Sequence, residues 1–183
     1  MSALGEWIEK IHTNAVAHGW WERPRLWSEV RMLVVTELAE AAEEFRSGRM
    51  DAWYLSDSGT RVDHGYVPPG RKPEGFPIEI ADAAIRLLDY AGFRGVRWDL
   101  DDEKCAANGT LVDFPHRADP LAQLDRIVAI LHDEGQYEDD TLVWLGVGAC
   151  FAMANAHGFD LLRYIRLKHE YNVGRPYKHG KVA

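Results

Sequence analysis

The amino-acid sequence predicts an all-α fold, and three observations carry that expectation. Apolar residues recur at three- and four-residue spacing over most of the chain. Helix-starting and helix-stopping residues punctuate those stretches. No run alternates apolar and polar residues for long enough to make a convincing strand. With 183 residues, 46% of them hydrophobic, the chain can bury one sizeable core, so residues 1–183 read as a single domain.

Residues 3–18 form the first expected helix, with Leu4, Trp7, Ile8, Ile11 and Ala15 along one side and Gly19 at its end. Asn14, His18 and Trp21 fall at helical spacing on another side, where an amide, an imidazole and an indole would face a planar ligand. After Pro24 a second helix opens at Ser28 or just before it and stops near Ser47 and Gly48. It carries Glu37, Glu40 and Glu44 in line with Leu33, so that acids run where a core stripe would otherwise continue. Residues 49–75 show no sustained period, and their Pro, Gly, Asp and Ser content predicts a long loop.

Pro77 suits the first turn of a third helix that continues to about Tyr90. This helix is apolar nearly all round, which predicts burial, and its polar residues Glu79, Asp82, Arg86 and Asp89 share one narrow strip. A short helical turn and irregular chain follow, to residue 117. Asp119-Pro120 then opens a fourth long helix with Leu121, Leu124, Val128 and Leu131 as its stripe, closed by Gly135. Thr141 to His157 is a fifth, apolar on most faces, in which Gly146 and Gly148 let a neighbour approach closely. Asp160 caps a last helix over 161–172, and a basic segment follows it.

A net charge of −8 argues against broad binding to nucleic acid or to an anionic membrane, since both reward a basic surface. Cys105 and Cys150 lack metal or CxxC spacing and suggest reduced thiols. The first residues do not resemble a secretory signal, and the longest apolar run, Leu142 to Ala154, is too short to span a bilayer. The expected compartment is the cytoplasm.

A row of glutamates on one helix is usually a solvated face. Buried carboxylates on a second helix change the reading, because each must be paired, hydrogen-bonded or bound to a cation. If Glu37 and Glu40 face Glu79 and Asp82, four carboxylates meet with too few local cations, and a divalent metal ion resolves the imbalance. Oxygen-only ligands favour Mg²⁺, with Mn²⁺ as its substitute. Lys168 and Asn172 share a face of the last helix, and Arg175, Tyr177 and Lys178 follow. Carboxylate-held metal beside such cations suits a polyphosphate substrate.

This ordered set resembles the MazG-like branch of the all-α nucleoside triphosphate pyrophosphohydrolases. The resemblance rests on Glu37-x-x-Glu40, on Glu79-x-x-Asp82, and on Lys168-x-x-x-Asn172-x-x-Arg175-Pro176-Tyr177-Lys178. His18-Gly19-Trp20-Trp21 and the Lys72-to-Gly75 segment add to it. The resemblance implies a helical bundle that hydrolyses a nucleoside triphosphate to the monophosphate and pyrophosphate with Mg²⁺, as a homo-oligomer, a dimer in the simplest case. Glu37, Glu40, Glu79 and Asp82 would be metal ligands, with Glu37 or Glu40 also acting on the attacking water. Lys168, Asn172, Arg175, Tyr177 and Lys178 would hold the phosphates, and Asn14, His18 and Trp21 would contact the rest of the substrate.

The chain departs from that pattern at 96–157, where an extra helix pair precedes the last helix. Lys104-x-x-x-Asn108 echoes the later Lys168-x-x-x-Asn172, as a degenerate repeat without acids would. Other readings are a deoxyuridine triphosphatase-like enzyme, which shares the acid pattern, and a nucleotide-binding pseudoenzyme. A di-iron carboxylate bundle normally needs two Glu-x-x-His pairs, and only Glu9-x-x-His12 is present, off the acidic helices.

Overall fold

In the computed structural model, which describes residues 3–63, 66–114 and 119–177, one helix is surrounded by most of the others. That helix, α3 (Phe76–Arg94), packs against α1 (Ala3–Ala17), α2 (Trp27–Arg46), α6 (Asp139–His157) and α7 (Leu161–Val173). Its sequence explains the position. Ile78, Ile80, Ala81, Ala83, Ala84, Leu87, Leu88 and Ala91 are all fully buried, so apolar groups point in nearly every direction around its axis. It runs one turn past the expected end and stops at Gly95, which adopts a left-handed conformation.

Helix α1 lays Leu4, Ile8, Ile11 and Ala15 against α3, as the sequence pattern predicts. Helix α2 begins at Trp27, after Leu26 as its cap. The Glu29 carboxylate reaches back to accept the Leu26 backbone N–H at 2.9 Å, so the helix opens just before Ser28, as expected.

The region 96–157 holds three helices among the described residues: α4 (Leu100–Ala107), α5 (Pro120–Leu131) and α6. Helix α6 is no appendage, because Leu142, Val143, Val147, Cys150 and Met153 are buried and it packs along α3. A Cβ at Gly146 would come within 2.8 Å of Leu131 and 2.9 Å of Leu87, and one at Gly148 within 2.6 Å of Leu111, so both glycines permit close packing. Helices α4 and α5 lie on α6. The buried stripe of α5 is Leu124, Ile127 and Leu131, whereas Leu121 is 37% exposed and Val128 only half-buried. A buried polar contact helps set this rotation: Gln123 lies 2.6 Å from His157 of α6.

The loop 49–75 contains a small antiparallel hairpin, β1 (Trp53–Leu55) and β2 (Arg61–Asp63), where no strand was expected. Three residues a side are too few to show alternation. Trp53 also exchanges both backbone hydrogen bonds with Glu74, at 3.0 and 2.9 Å, which ties the hairpin to the start of α3. Gly75 makes that junction possible: its φ is +110°, and a Cβ there would meet the Asp51 carbonyl oxygen at 2.3 Å. Both cysteines are free, and no single helix among the described residues is long and apolar enough to cross a membrane.

Candidate metal centre

The acids of α2 and α3 meet. One carboxylate oxygen from each of Glu37, Glu40 and Glu79 can be chosen so that all three lie within 4.8 Å of one another. Helix periodicity places Glu37 and Glu40 on one side of α2, and packing of α2 on α3 brings Glu79 across from them. Glu37 and Glu79 are buried, at 8% and 3% exposure, while Glu40 faces solvent. The group therefore has two interior carboxylates and one at its open edge.

Asp82, the fourth expected ligand, lies beside this trio and is held by a cation. Lys168 of α7 places Nζ 2.6 Å from Asp82 Oδ2, and the lysine is itself 4% exposed. Its ammonium stays charged: burial alone would pull its pKa down, but Asp82 and then Glu79 outweigh that and raise it. Glu74, at the hairpin junction, adds to the same field. Arg86, one turn beyond Asp82 on the same strip of α3, sends Nε and Nη2 to a single Glu37 oxygen, each at 3.1 Å. Its guanidinium also lies over the Trp20 ring, 5.7 Å from the centroid.

Two cations for four carboxylates leave an excess of negative charge, and the acids show it. Burial first, then Asp82, Glu37 and Glu40, push the Glu79 carboxyl up to about 9, against the opposing pull of Lys168. Glu37 is raised as well, by burial and by Asp82, with Arg86 partly offsetting them. Burial and crowding with other acids thus disfavour ionised carboxyls here, and a bound cation would reverse that preference. A hard divalent ion fits the donor set, which contains oxygen alone.

The other expected site residues divide. Asn172 lies one turn after Lys168, and its buried Oδ1 has no hydrogen-bond partner, so an acceptor stands ready for a ligand donor. Arg175 rests over the Tyr171 ring at 5.9 Å, and its carbonyl oxygen is 3.0 Å from His18 Nε2. Tyr177 donates its hydroxyl hydrogen to Glu22 and lies against Gly19. Both residues are thus held on the turn between α1 and α2. Lys178 lies outside the described residues.

Asn14, His18 and Trp21 do not share one face. Helix α1 ends at Ala17 and Gly19 turns with φ +79°, so helical spacing no longer governs Trp21. The Trp21 indole donates to Asp89 at 2.8 Å and stacks on Phe93, with ring centroids 4.2 Å apart. His18 Nδ1 lies 2.8 Å from the Asn14 carbonyl oxygen, and the Asn14 side chain lines an open hollow with Lys10, Thr13 and His169. His12, half of the Glu9-x-x-His12 pair, is spent on Asp89 at 2.8 Å.

Arg86 was visible in the sequence as part of the polar strip but not as a site residue. Its signal was available: it stands four residues after Asp82, on the same helix face. Trp20 and Glu74 carried no such signal, because neither lies on a helix. Set against protein-family profiles, curated proteins and solved structures, the chain matches none of them.

Proposed function

We propose that this protein is a Mg²⁺-dependent nucleoside triphosphate pyrophosphohydrolase of the MazG-like type. The observation that carries the reading is the convergence of Glu37, Glu40 and Glu79 within 4.8 Å, two of them buried, on facing helices. A divalent ion held there would neutralise phosphate charge and make a nearby water more acidic.

The chain's own residues supply the rest. Glu40, the only exposed member of the trio, would take the proton of the water that attacks the α-phosphorus. The bond from that phosphorus to the bridging oxygen breaks, and pyrophosphate leaves with the electron pair. Lys168 keeps Asp82 fixed at 2.6 Å beside the acids, while the unpartnered Asn172 acceptor would offer a hydrogen-bond site to a substrate hydroxyl. Mn²⁺ would substitute for Mg²⁺, and the assembly that goes with this reading is a homodimer.

The test is a panel of ribo- and deoxyribonucleoside triphosphates incubated with Mg²⁺, with products separated by anion exchange. Monophosphate and pyrophosphate in equal amounts are expected, and the preferred base, deoxyuridine included, is read from the same panel. Diphosphate and orthophosphate, or binding without turnover of any member, would overturn the proposal.

A further inference from the structure

Arg86 raises a question of charge. Glu37, Glu40, Glu79 and Asp82 contribute four negative charges when ionised, and Lys168 and Arg86 contribute two positive ones, so one divalent ion brings the set to neutrality. A triphosphate entering that neutral site needs a further cation to meet it. Lys168 is poorly suited, since its side chain is only 5% exposed and bonded to Asp82 at 2.6 Å.

Arg86 is differently held. Its side chain is 26% exposed, and both contacting nitrogens crowd one oxygen of Glu37 at 3.1 Å, so the guanidinium fork does not match the two carboxylate oxygens as a bidentate pair would. Its other support, the Trp20 ring face, does not depend on Glu37. A cation drawn to Glu37 meets Arg86 as a like charge a few ångströms away, and the two compete for the same carboxylate.

We infer that Arg86 is a resident counter-ion: it holds Glu37 while no divalent ion is present and turns to a phosphate of the incoming nucleotide once the ion has taken that carboxylate. This rests on the metal-centre reading above. It makes Arg86 both an antagonist of metal binding and a substrate-binding group. A purely structural arginine that orients Glu37 for the metal would do the opposite, and its loss would weaken the ion.

Mn²⁺ binding followed by electron paramagnetic resonance separates the two. In Arg86→Gln, Mn²⁺ is expected to bind about tenfold more tightly than in the unaltered protein, while inorganic tripolyphosphate binds the Mn²⁺-loaded variant about tenfold more weakly. Arg86→Lys keeps the charge but loses the fork and serves if the glutamine variant does not fold; in it tripolyphosphate binding falls and Mn²⁺ affinity does not. Unchanged or weaker Mn²⁺ binding in Arg86→Gln, or unchanged tripolyphosphate binding in both variants, overturns the role of Arg86 alone. Failure of the unaltered protein to bind Mn²⁺ at all overturns the metal centre and this inference together.

Discussion

Helix α3 has two sides that obey different rules. Toward α6 its middle meets an apolar surface, where Leu87 lies at zero exposure against Gly146, and polar contacts are confined to its C-terminal end, where Tyr90 and Arg94 reach Asp139 and Asp140. Toward α2 the same helix presents Glu79 and Asp82 to Glu37 and Glu40. On the α6 side the ionisable groups sit at the edge and meet opposite charge or a hydroxyl. The other keeps buried carboxyls whose ionisation the surroundings oppose, and interior acids of that kind are a cost to folding unless a ligand is meant to satisfy them. The contrast predicts that substitutions on the two sides separate stability from function.

The largest expected effect is on activity. Glu40→Gln removes a carboxylate that is exposed and so leaves the fold intact, yet Mg²⁺-dependent pyrophosphate release should fall by about 10²–10³-fold in steady-state assays. Leu87→Ala is its counterpart on the α6 side: denaturant unfolding should show a loss of about 2–5 kcal/mol, with Mn²⁺ affinity of the folded protein unchanged. Reversal of these outcomes, with Leu87 controlling the metal and Glu40 the stability, would erase the distinction between the two sides.

A pH experiment sharpens it. Glu79, with its carboxyl at about 9 in the folded chain against 4.5 as its ordinary value, holds a proton that the unfolded chain gives up. The folded state therefore binds more protons between those values, and stability without metal should fall as pH rises through that window. Thermal unfolding in chelator at pH 5.5 and 8.5 measures it: the midpoint should be lower at 8.5, and Glu79→Gln should shrink the difference. Lys168 of α7, Glu37 and Glu40 of α2, and Asp82 of α3 act on the same group, so the remaining slope reports on them.

The sequence made much of this legible and some of it not. Spacing of three between Glu37 and Glu40, and between Glu79 and Asp82, sets which face each acid occupies, and the apolar wrap of α3 shows that its acids are buried. Which acid receives which cation depends on how α7 and α3 dock, and no local pattern encodes the Lys168–Asp82 pair in preference to a Lys168–phosphate contact. Trp21 leaves the face of Asn14 and His18 because helical spacing does not extend past Gly19. On α5 the sequence does not separate a stripe of Leu121, Leu124, Val128 and Leu131 from the buried one of Leu124, Ile127 and Leu131, because both fit helical spacing. That last point gives the smallest prediction: Leu121→Ser should change stability by less than about 0.5 kcal/mol, whereas Leu124→Ser should be plainly destabilising in the same unfolding assay.

Anomalous diffraction from Mn²⁺-soaked crystals would locate the ion between α2 and α3. A single strong peak within coordinating distance of Glu37, Glu40 and Glu79 is the predicted result. Crystals that bind Mn²⁺ only elsewhere on the molecule, or show no peak between α2 and α3 at saturating Mn²⁺, would contradict it.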